Sequence, residues 1–332
     1  MPSLPAGPSR PSLLRLGTRG SQLALFQANA VAALLQERAG IACEIVVIKT
    51  SGDRLSEASL SEIGGKRLFV KEIEEALLSG DIDIAVHSSK DMPAVLPEGL
   101  EIGAVLSRED PRDAVVVALD RHEMSVDAIV DSLGSAPRVG TSSIRRVAQL
   151  RQLFPNARFD PIRGNLDTRL RKLDSGEFDA IVLASAGLRR LGHAQRISVA
   201  LPIETCVPAP GQGIIAVEVL AGEPPFRKAL TSIDDPQTAI ALRAERAVVV
   251  RLGGGCQMPI GAYATVTRDK VTITAVVISV DGRRVARTVV TGSPADAETV
   301  GGQAADRLLN QGADEILADV QRAQAAVQGL QP

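Results

Sequence analysis

Short apolar runs alternate with segments of helical spacing through the first quarter of the chain, and this alternation restricts the fold more than any other feature. LLRLGT (residues 13–18) reads as a strand. Ser21 then caps a helix from about Gln22 to Arg38 that Gly40 closes. CEIVVIKT (43–50) is the next strand, LFVKEIEEALLSGD resumes helical spacing, and IDIAVHSS (82–89) is a third strand. The order β-α-β-α-β predicts a mostly parallel sheet with helices on both faces and places ligand-binding residues at the strand C-terminal ends. The loop SKDMP (89–93) lies at such an end.

A second alternating unit follows the turn REDPRD (108–113): strand DAVVVAL, a helix near 125–131, strand RVGTS, helix IRRVAQLRQLF, strand ARFDPIRG, helix LDTRLRKLDSG and strand FDAIVLAS. PAPGQGIIAVEVL (208–220) begins as a Pro/Gly turn and becomes a strand that could join either sheet. From Asp235 the pattern changes. Pro236 suits a first helical turn, QTAIALRAERAVVVRL is a helix ended by Gly253, Gly254 and Gly255, and three alternating segments follow, AYATVTR, KVTITAVVIS and RRVARTVVTG. Asp281 and Gly282 make the hairpin turn between the last two, and two helices finish the chain. This part predicts a small α+β domain with about three antiparallel strands covered by helices.

The 332 residues are enough for about two to three domains. With 37 basic against 39 acidic residues the net charge is −2, and aromatics make up 2% with no Trp, so neither the basic footprint nor the stacking platforms of a nucleic-acid binder are present. The basic residues are nevertheless unusual, with 30 arginines and 7 lysines, and residues 138–196 hold 11 arginines and 1 lysine against 5 acids. A codon preference for arginine would raise it everywhere; a cluster inside a cleft would bind carboxylate or phosphate through the planar guanidinium fork.

Three scattered cysteines, Cys43, Cys206 and Cys256, fit neither a disulfide framework nor a Cys-rich zinc site, and His87, His122 and His193 lack metal-ligand spacing. The first dozen residues are Pro/Ser-rich without a signal-peptide core, and no apolar run approaches about 18 residues. A disordered tail, a cytoplasmic location, no membrane partner and no metal are therefore expected.

Several positions can carry chemistry. Asp91, after a buried-looking strand and beside Lys90, is either a turn residue or an ionised carboxylate that stabilises a developing cation or accepts ligand N–H groups. GTSSIRR (140–146) puts hydroxyl and small residues at a helix start together with Arg145 and Arg146, an unfavourable place for cations unless an anion compensates them. IRGNLDTRL repeats the device with Arg163 and Arg169, and AGLRRLG adds Arg189 and Arg190. Cys256, in RLGGGCQMPIG, is presented by a glycine-rich loop without an apparent His partner to make it a protease-like nucleophile, and a covalent attachment point is the other use of an exposed thiol; Cys43 and Cys206 suit structural roles.

TRGS (18–21), GGKRLFVKE (64–72), DIAVHSSKDMP (83–93), REDPRDA, GTSSIRR, RGNLDTRL, PAPGQG and GGGCQMPIGAYA together closely resemble, in order and spacing, the motif set of the porphobilinogen deaminase (hydroxymethylbilane synthase) family, from about Leu13 to the last helix. The resemblance implies two lobes like those of a type 2 periplasmic binding protein, with mostly parallel sheets, plus a C-terminal α+β domain with a three-stranded antiparallel sheet. The boundaries it implies are a tail at 1–12, a first lobe at 13–108 plus about 213–232, an arginine-rich second lobe at 109–212, and a third domain at 233–332 carrying the cofactor cysteine. It further implies a transferase of tetrapyrrole and heme biosynthesis, monomeric, that builds a dipyrromethane cofactor on Cys256 through a thioether. Four porphobilinogens are then added head to tail with loss of ammonia, and hydroxymethylbilane is hydrolysed off and passed to uroporphyrinogen-III synthase.

Each porphobilinogen carries an acetate and a propionate, which gives the arginine cluster a carboxylate-dense partner. By motif match, Asp91, Lys90 and Arg19 are catalytic, with Asp91 stabilising the cationic azafulvene and binding pyrrole N–H groups and Lys90 pairing with a cofactor carboxylate. Cys256, Asp91, Lys90, Ser88, Thr141, Ser143, Arg145, Arg146 and Arg163 hold the cofactor. Arg19, Ser21, Gln27, Arg163, Arg169 and Arg190 hold substrate. Lys66 and Phe69 belong to a mobile lid at about 50–67 and its flank. The chain departs from the family pattern at Arg67, where glycine is common, and at Ser89, where a larger apolar residue is common. A non-catalytic solute-binding protein would share the two lobes and the anion cleft, but the absence of an export signal and the presence of Cys256 in a third domain argue against it.

Overall fold

The computed structural model describes residues 13–50, 70–118, 124–222, 225–255 and 257–329. The expected tail at 1–12, the lid residues Lys66 and Phe69, Arg67 and Cys256 lie outside the described residues.

Strand β1 (Leu14–Thr18) leads into helix α1 (Gln22–Ala39), and β2 (Cys43–Val47) returns parallel to β1. Both ends of α1 are where the sequence puts them. Ser21 Oγ accepts from the Ala24 N–H at 3.3 Å, and Gly40, at φ 66°, closes the helix by donating to Gln36 and Leu35. Helix α2 (Lys71–Leu78), β3 (Ile84–Ser88) and β4 (Leu100–Val105) follow. Among the described residues the second unit comprises β5 (Asp113–Val116), α3 (Val126–Leu133), β6 (Arg138–Gly140), α4 (Ile144–Leu150), β7 (Arg158–Asp160), α5 (Leu166–Asp174), β8 (Ala180–Ala184), α6 (Ser185–Arg190) and β9 (Val199–Ala200).

The chain then crosses back as β10 (Ile215–Leu220), which inserts antiparallel between β3 and β4 and so joins the first sheet. The two sheets have the same plan, β2-β1-β3-β10-β4 and β7-β6-β8-β5-β9. In each, four strands run one way and the strand laid down by a crossing between lobes runs the other. The sheets are thus mixed with a parallel majority, which gives the chain its two α/β lobes.

Helix α7 (Arg227–Ile233) covers the first sheet, and α8 (Pro236–Arg251) opens the last unit with Pro236 in its first turn and Asp235 Oδ1 accepting from Thr238 N–H. Strands β11 (Ile260–Val266), β12 (Val271–Ile278) and β13 (Val285–Gly292) form a three-stranded antiparallel sheet packed by α8, α9 (Ala297–Leu309) and α10 (Ala313–Gly329). Strand β4, the two-residue β9 and helix α7 were not expected from the sequence, and the paired parts of β2, β6 and β7 are shorter than their apolar runs. Helix α8 ends at Arg251, before the glycines, and Gly253 then takes φ 63°.

Burial explains why these runs pair as they do. Leu14, Leu16, Ile84, Val86 and Val217 pack against Val31 and Leu35 of α1 and Leu230 of α7, while Ile73 and Leu77 of α2 cover Ala85 on the opposite face. Each such aliphatic side chain contributes about 1.5–3 kcal/mol when fully buried. Because β1 and β3 are parallel, they end at the same edge of the first sheet, where Arg19 and the turn Ser89–Asp91 follow them. Strands β6 and β8 are likewise parallel and deliver Thr141 and helix α6 to one edge of the second sheet.

Candidate active site

Strand β3 is buried along its length and stops at a single tight turn, Ser89–Asp91. The turn is tied to the returning chain by Ser89 N–H to Ile214 O (3.0 Å), and it leaves Asp91 exposed and Lys90 half-buried. Gln27 of α1 is buried and its amide is joined to Ser88 Oγ, with Nε2 donating at 2.8 Å. Gln27 and Ser88, expected to touch substrate and cofactor, thus bind each other and set the position of α1 against the end of β3. Ser21 Oγ is the α1 cap, and Arg19 is half-buried at the end of β1.

Across from this turn, the second lobe places Asp113 at the start of β5, fully buried, between Arg145 and Arg146 of α4. Arg145 donates to Asp113 Oδ2 (2.6 Å), to Oδ1 (3.1 Å) and to Val207 O (2.7 Å); Arg146 donates through Nε to Asp113 Oδ1 (2.9 Å) and through Nη1 to Val182 O (2.9 Å). Burial opposes the carboxylate's charge, but the two guanidiniums outweigh it and hold Asp113 well below the usual carboxylate range. The anion that compensates two arginines at this helix start is therefore, in the first instance, the protein's own. In this structure Arg145, 4% exposed, faces Asp113 rather than an open cleft.

Thr141 and Ser143 serve the same helix start: Thr141 Oγ1 accepts from Ser143 N–H (3.3 Å) and Ser143 Oγ from Arg146 N–H (3.4 Å). Of the remaining cations, Lys90 and Arg169 both lie within reach of the Asp91 charge. Arg163 follows β7, is half-buried, and has no hydrogen-bond or ion-pair partner among the described residues. Arg169 in α5 donates through Nε to Gly164 O (2.9 Å), and burial together with Arg146 and Arg163 pushes its guanidinium down to about 10 against the opposing pull of Asp91. Burial, then Arg146, lowers the Lys90 ammonium to about 8, with Asp91 and Asp113 opposing. Arg190 donates through Nη2 to Gly213 O (2.7 Å), which pins α6 to the crossing strand.

The five acids of residues 138–196 do not neutralise this group. Asp160 pairs with Arg158, Asp167 with His193, Asp174 with Arg196 and Asp179 with Arg138, while Glu177 accepts from Ser175. The acids of this segment are thus engaged elsewhere, and Asp91 lies close enough to act on both Lys90 and Arg169.

Three residues essential to this geometry were not singled out from the sequence: Asp113, Gln212 and Glu245. Gln212 is buried in the PAPGQG turn and reaches Lys90, Pro111 and Asp113. Glu245 of α8 accepts from Arg108 (2.5 Å), Gly211 N–H (2.7 Å) and Ala264 N–H (2.7 Å), joining the third unit to both crossings. An acid opening a wholly apolar run, as Asp113 does in PRDAVVV, was the available signal. Cys206 is buried with its thiol donating to Asp113 Oδ2 (3.3 Å), and burial followed by Asp113 pushes it up to about 12; burial pushes Cys43 up to about 11. Neither thiol is available as a nucleophile. Among the described residues no group of three potential metal ligands occurs, and no helix is long and apolar enough to cross a membrane.

Residues 14–228 match the family model for the porphobilinogen deaminase dipyromethane cofactor binding domain, and residues 239–310 match the porphobilinogen deaminase C-terminal domain. The chain belongs to the porphobilinogen deaminase family. It is 46% identical over 317 residues to the porphobilinogen deaminase of Geobacter metallireducens, covering 95% of this chain and 97% of that one. It is 45% identical over 312 residues to that of Syntrophobacter fumaroxidans, covering 94% and 99%. Similar solved structures include the periplasmic VFT2 domain of Bordetella pertussis BvgS (21% identity, 67% of this chain and 86% of that one, TM-score 0.39) and an ancestral cationic amino acid solute binding protein (18%, 67% and 87%, 0.39).

The porphobilinogen deaminase cofactor is rich in carboxylates, and the described residues fit such a group. Among the described residues Arg163 has no anionic partner, and Arg169 is crowded by the like charges of Arg146 and Arg163.

Proposed function

We propose that the chain is a transferase that condenses four porphobilinogen molecules head to tail, releasing ammonia at each addition, on a dipyrromethane joined by a thioether to Cys256, and that it then hydrolyses the chain to hydroxymethylbilane. The observation that carries this reading is the cation group between the lobes, Lys90, Arg163 and Arg169, in which Arg163 has no acidic partner among the described residues, set beside the exposed carboxylate of Asp91. A polycarboxylate fits the cations, and a cation formed during reaction fits the carboxylate.

Lys90, Arg146 and Arg163 hold the cofactor carboxylates, aided by Ser88, Thr141 and Ser143, with Arg145 acting through Asp113. Arg19, Arg169 and Arg190 hold the incoming substrate's acetate and propionate. When bound, the dipyrromethane supplies the terminal pyrrole carbon to which the first new unit is joined. Asp91 accepts pyrrole N–H hydrogen bonds and lies where positive charge develops as ammonia leaves the substrate; a fixed carboxylate there lowers the barrier without reorganisation.

The same reading makes residues 13–108 with about 213–232 the first lobe, 109–212 the second and 233–332 the cofactor-bearing domain. It includes a lid at about 50–67, a cytoplasmic monomer and hand-over of the product to uroporphyrinogen-III synthase. Incubation of the purified chain with porphobilinogen tests it. Release of four ammonia molecules per hydroxymethylbilane is expected, and binding without ammonia release would favour a solute-binding protein.

A further inference from the structure

We propose that Gln212 is a positioning residue that fixes the ammonium of Lys90, presenting its amide oxygen to the lysine while its amide nitrogen is held by Pro111 and Asp113. The orientation follows from the partners. Nε2 lies 2.7 Å from Pro111 O and 3.0 Å from Asp113 Oδ1, both of which only accept, so the nitrogen must face them and Oε1 must face Lys90 Nζ, 3.4 Å away. A flipped amide would set its oxygen against two acceptors.

The turn around Gln212 is rigid for independent reasons. Gly211 and Gly213 both have positive φ, 73° and 87°, and a Cβ on Gly213 would stand 2.4 Å from Glu109 O. The main-chain oxygen of Gln212 accepts from Arg108 Nε at 2.9 Å, and its side chain is fully buried. Gln212 thus stands on the crossing between lobes and couples a lysine of the first to the Asp113–arginine group of the second. Because the amide is neutral, it orients the ammonium without neutralising it. Among the described residues the charged groups acting on Lys90 include Arg145 and Arg146 from α4, Asp113 from β5, and Asp91 in its own turn.

The functional consequence rests on the role proposed above for Lys90, so the test separates the two. The pH dependence of Lys90 acylation by acetic anhydride, read by peptide mass spectrometry, is compared in the full-length holoenzyme, Gln212→Met and Gln212→Asn. Met removes the acceptor and Asn is one methylene too short, while Asn keeps a polar group if Met disturbs folding. Loss of an acceptor that favours the charged form lowers the midpoint, by about half a pH unit or more in either variant. The alkaline limb of kcat/KM moves down with it, which a purely structural defect would not produce. A Lys90 midpoint unchanged in a folded variant overturns the assignment of Gln212. A shifted midpoint with an unmoved kinetic limb upholds Gln212 and overturns the catalytic role of Lys90.

Discussion

A 2.9 Å hydrogen bond runs from Arg246 Nη2 to the main-chain oxygen of Pro93, and a second of 2.8 Å reaches Ala94 O. Helix α8, which ends at Arg251, therefore holds the chain just past Asp91. Arg246→Ala is expected to lower kcat by about 10–100-fold through misplacement of Asp91, with Arg246→Lys recovering part of it; steady-state kinetics on both variants check this.

Asp113 is the anionic centre of the second lobe. Asp113→Asn leaves the paired guanidiniums of Arg145 and Arg146 uncompensated in a buried site, a loss of about 3–5 kcal/mol, measurable by urea unfolding. Its folded-state carboxyl is depressed, so its stabilisation is complete above the ordinary unfolded value of about 4 and declines as pH falls below it. Wild-type stability is expected to fall below about pH 4 more steeply than that of Asp113→Asn.

The lobes were legible because alternation of strand and helix is a local signal, and both caps of α1 can be read directly from Ser21 and Gly40. The sheet to which β10 belongs was not, because IIAVEV is buried along its whole run and carries no period that distinguishes one sheet from the other. The arginine cluster was visible as composition, but its division of labour was not. Arg145 answers to Asp113, 32 positions away, whereas Arg163 faces no acid among the described residues, and only the tertiary arrangement separates these cases. Gln212 was hidden for the same reason: its partners Lys90 and Asp113 lie 122 and 99 positions distant.

The PAPGQG turn makes a stringent backbone prediction. Gly213→Ala places a Cβ at positive φ and 2.4 Å from Glu109 O, a main-chain atom with little freedom to move. A destabilisation of about 2 kcal/mol or more is expected, together with a weakened Arg190 contact to residue 213. Thermal unfolding and the KM for porphobilinogen report the two effects.

Asp91→Asn removes the carboxylate without changing its size. The variant is expected to keep the bound cofactor yet lose turnover by about 100-fold or more, because the amide cannot stabilise positive charge. Single-turnover ammonia release checks this, and a rate within a few-fold of wild type would remove Asp91 from the mechanism.

The central claim is that this chain carries its own primer on Cys256, and the intact mass of the purified protein tests it most directly. The account predicts a mass above that of the polypeptide by one dipyrromethane unit, with Cys256→Ser at the unmodified mass and inactive. A fully active wild type at the polypeptide mass, or a Cys256→Ser protein that retains the increment, would contradict it.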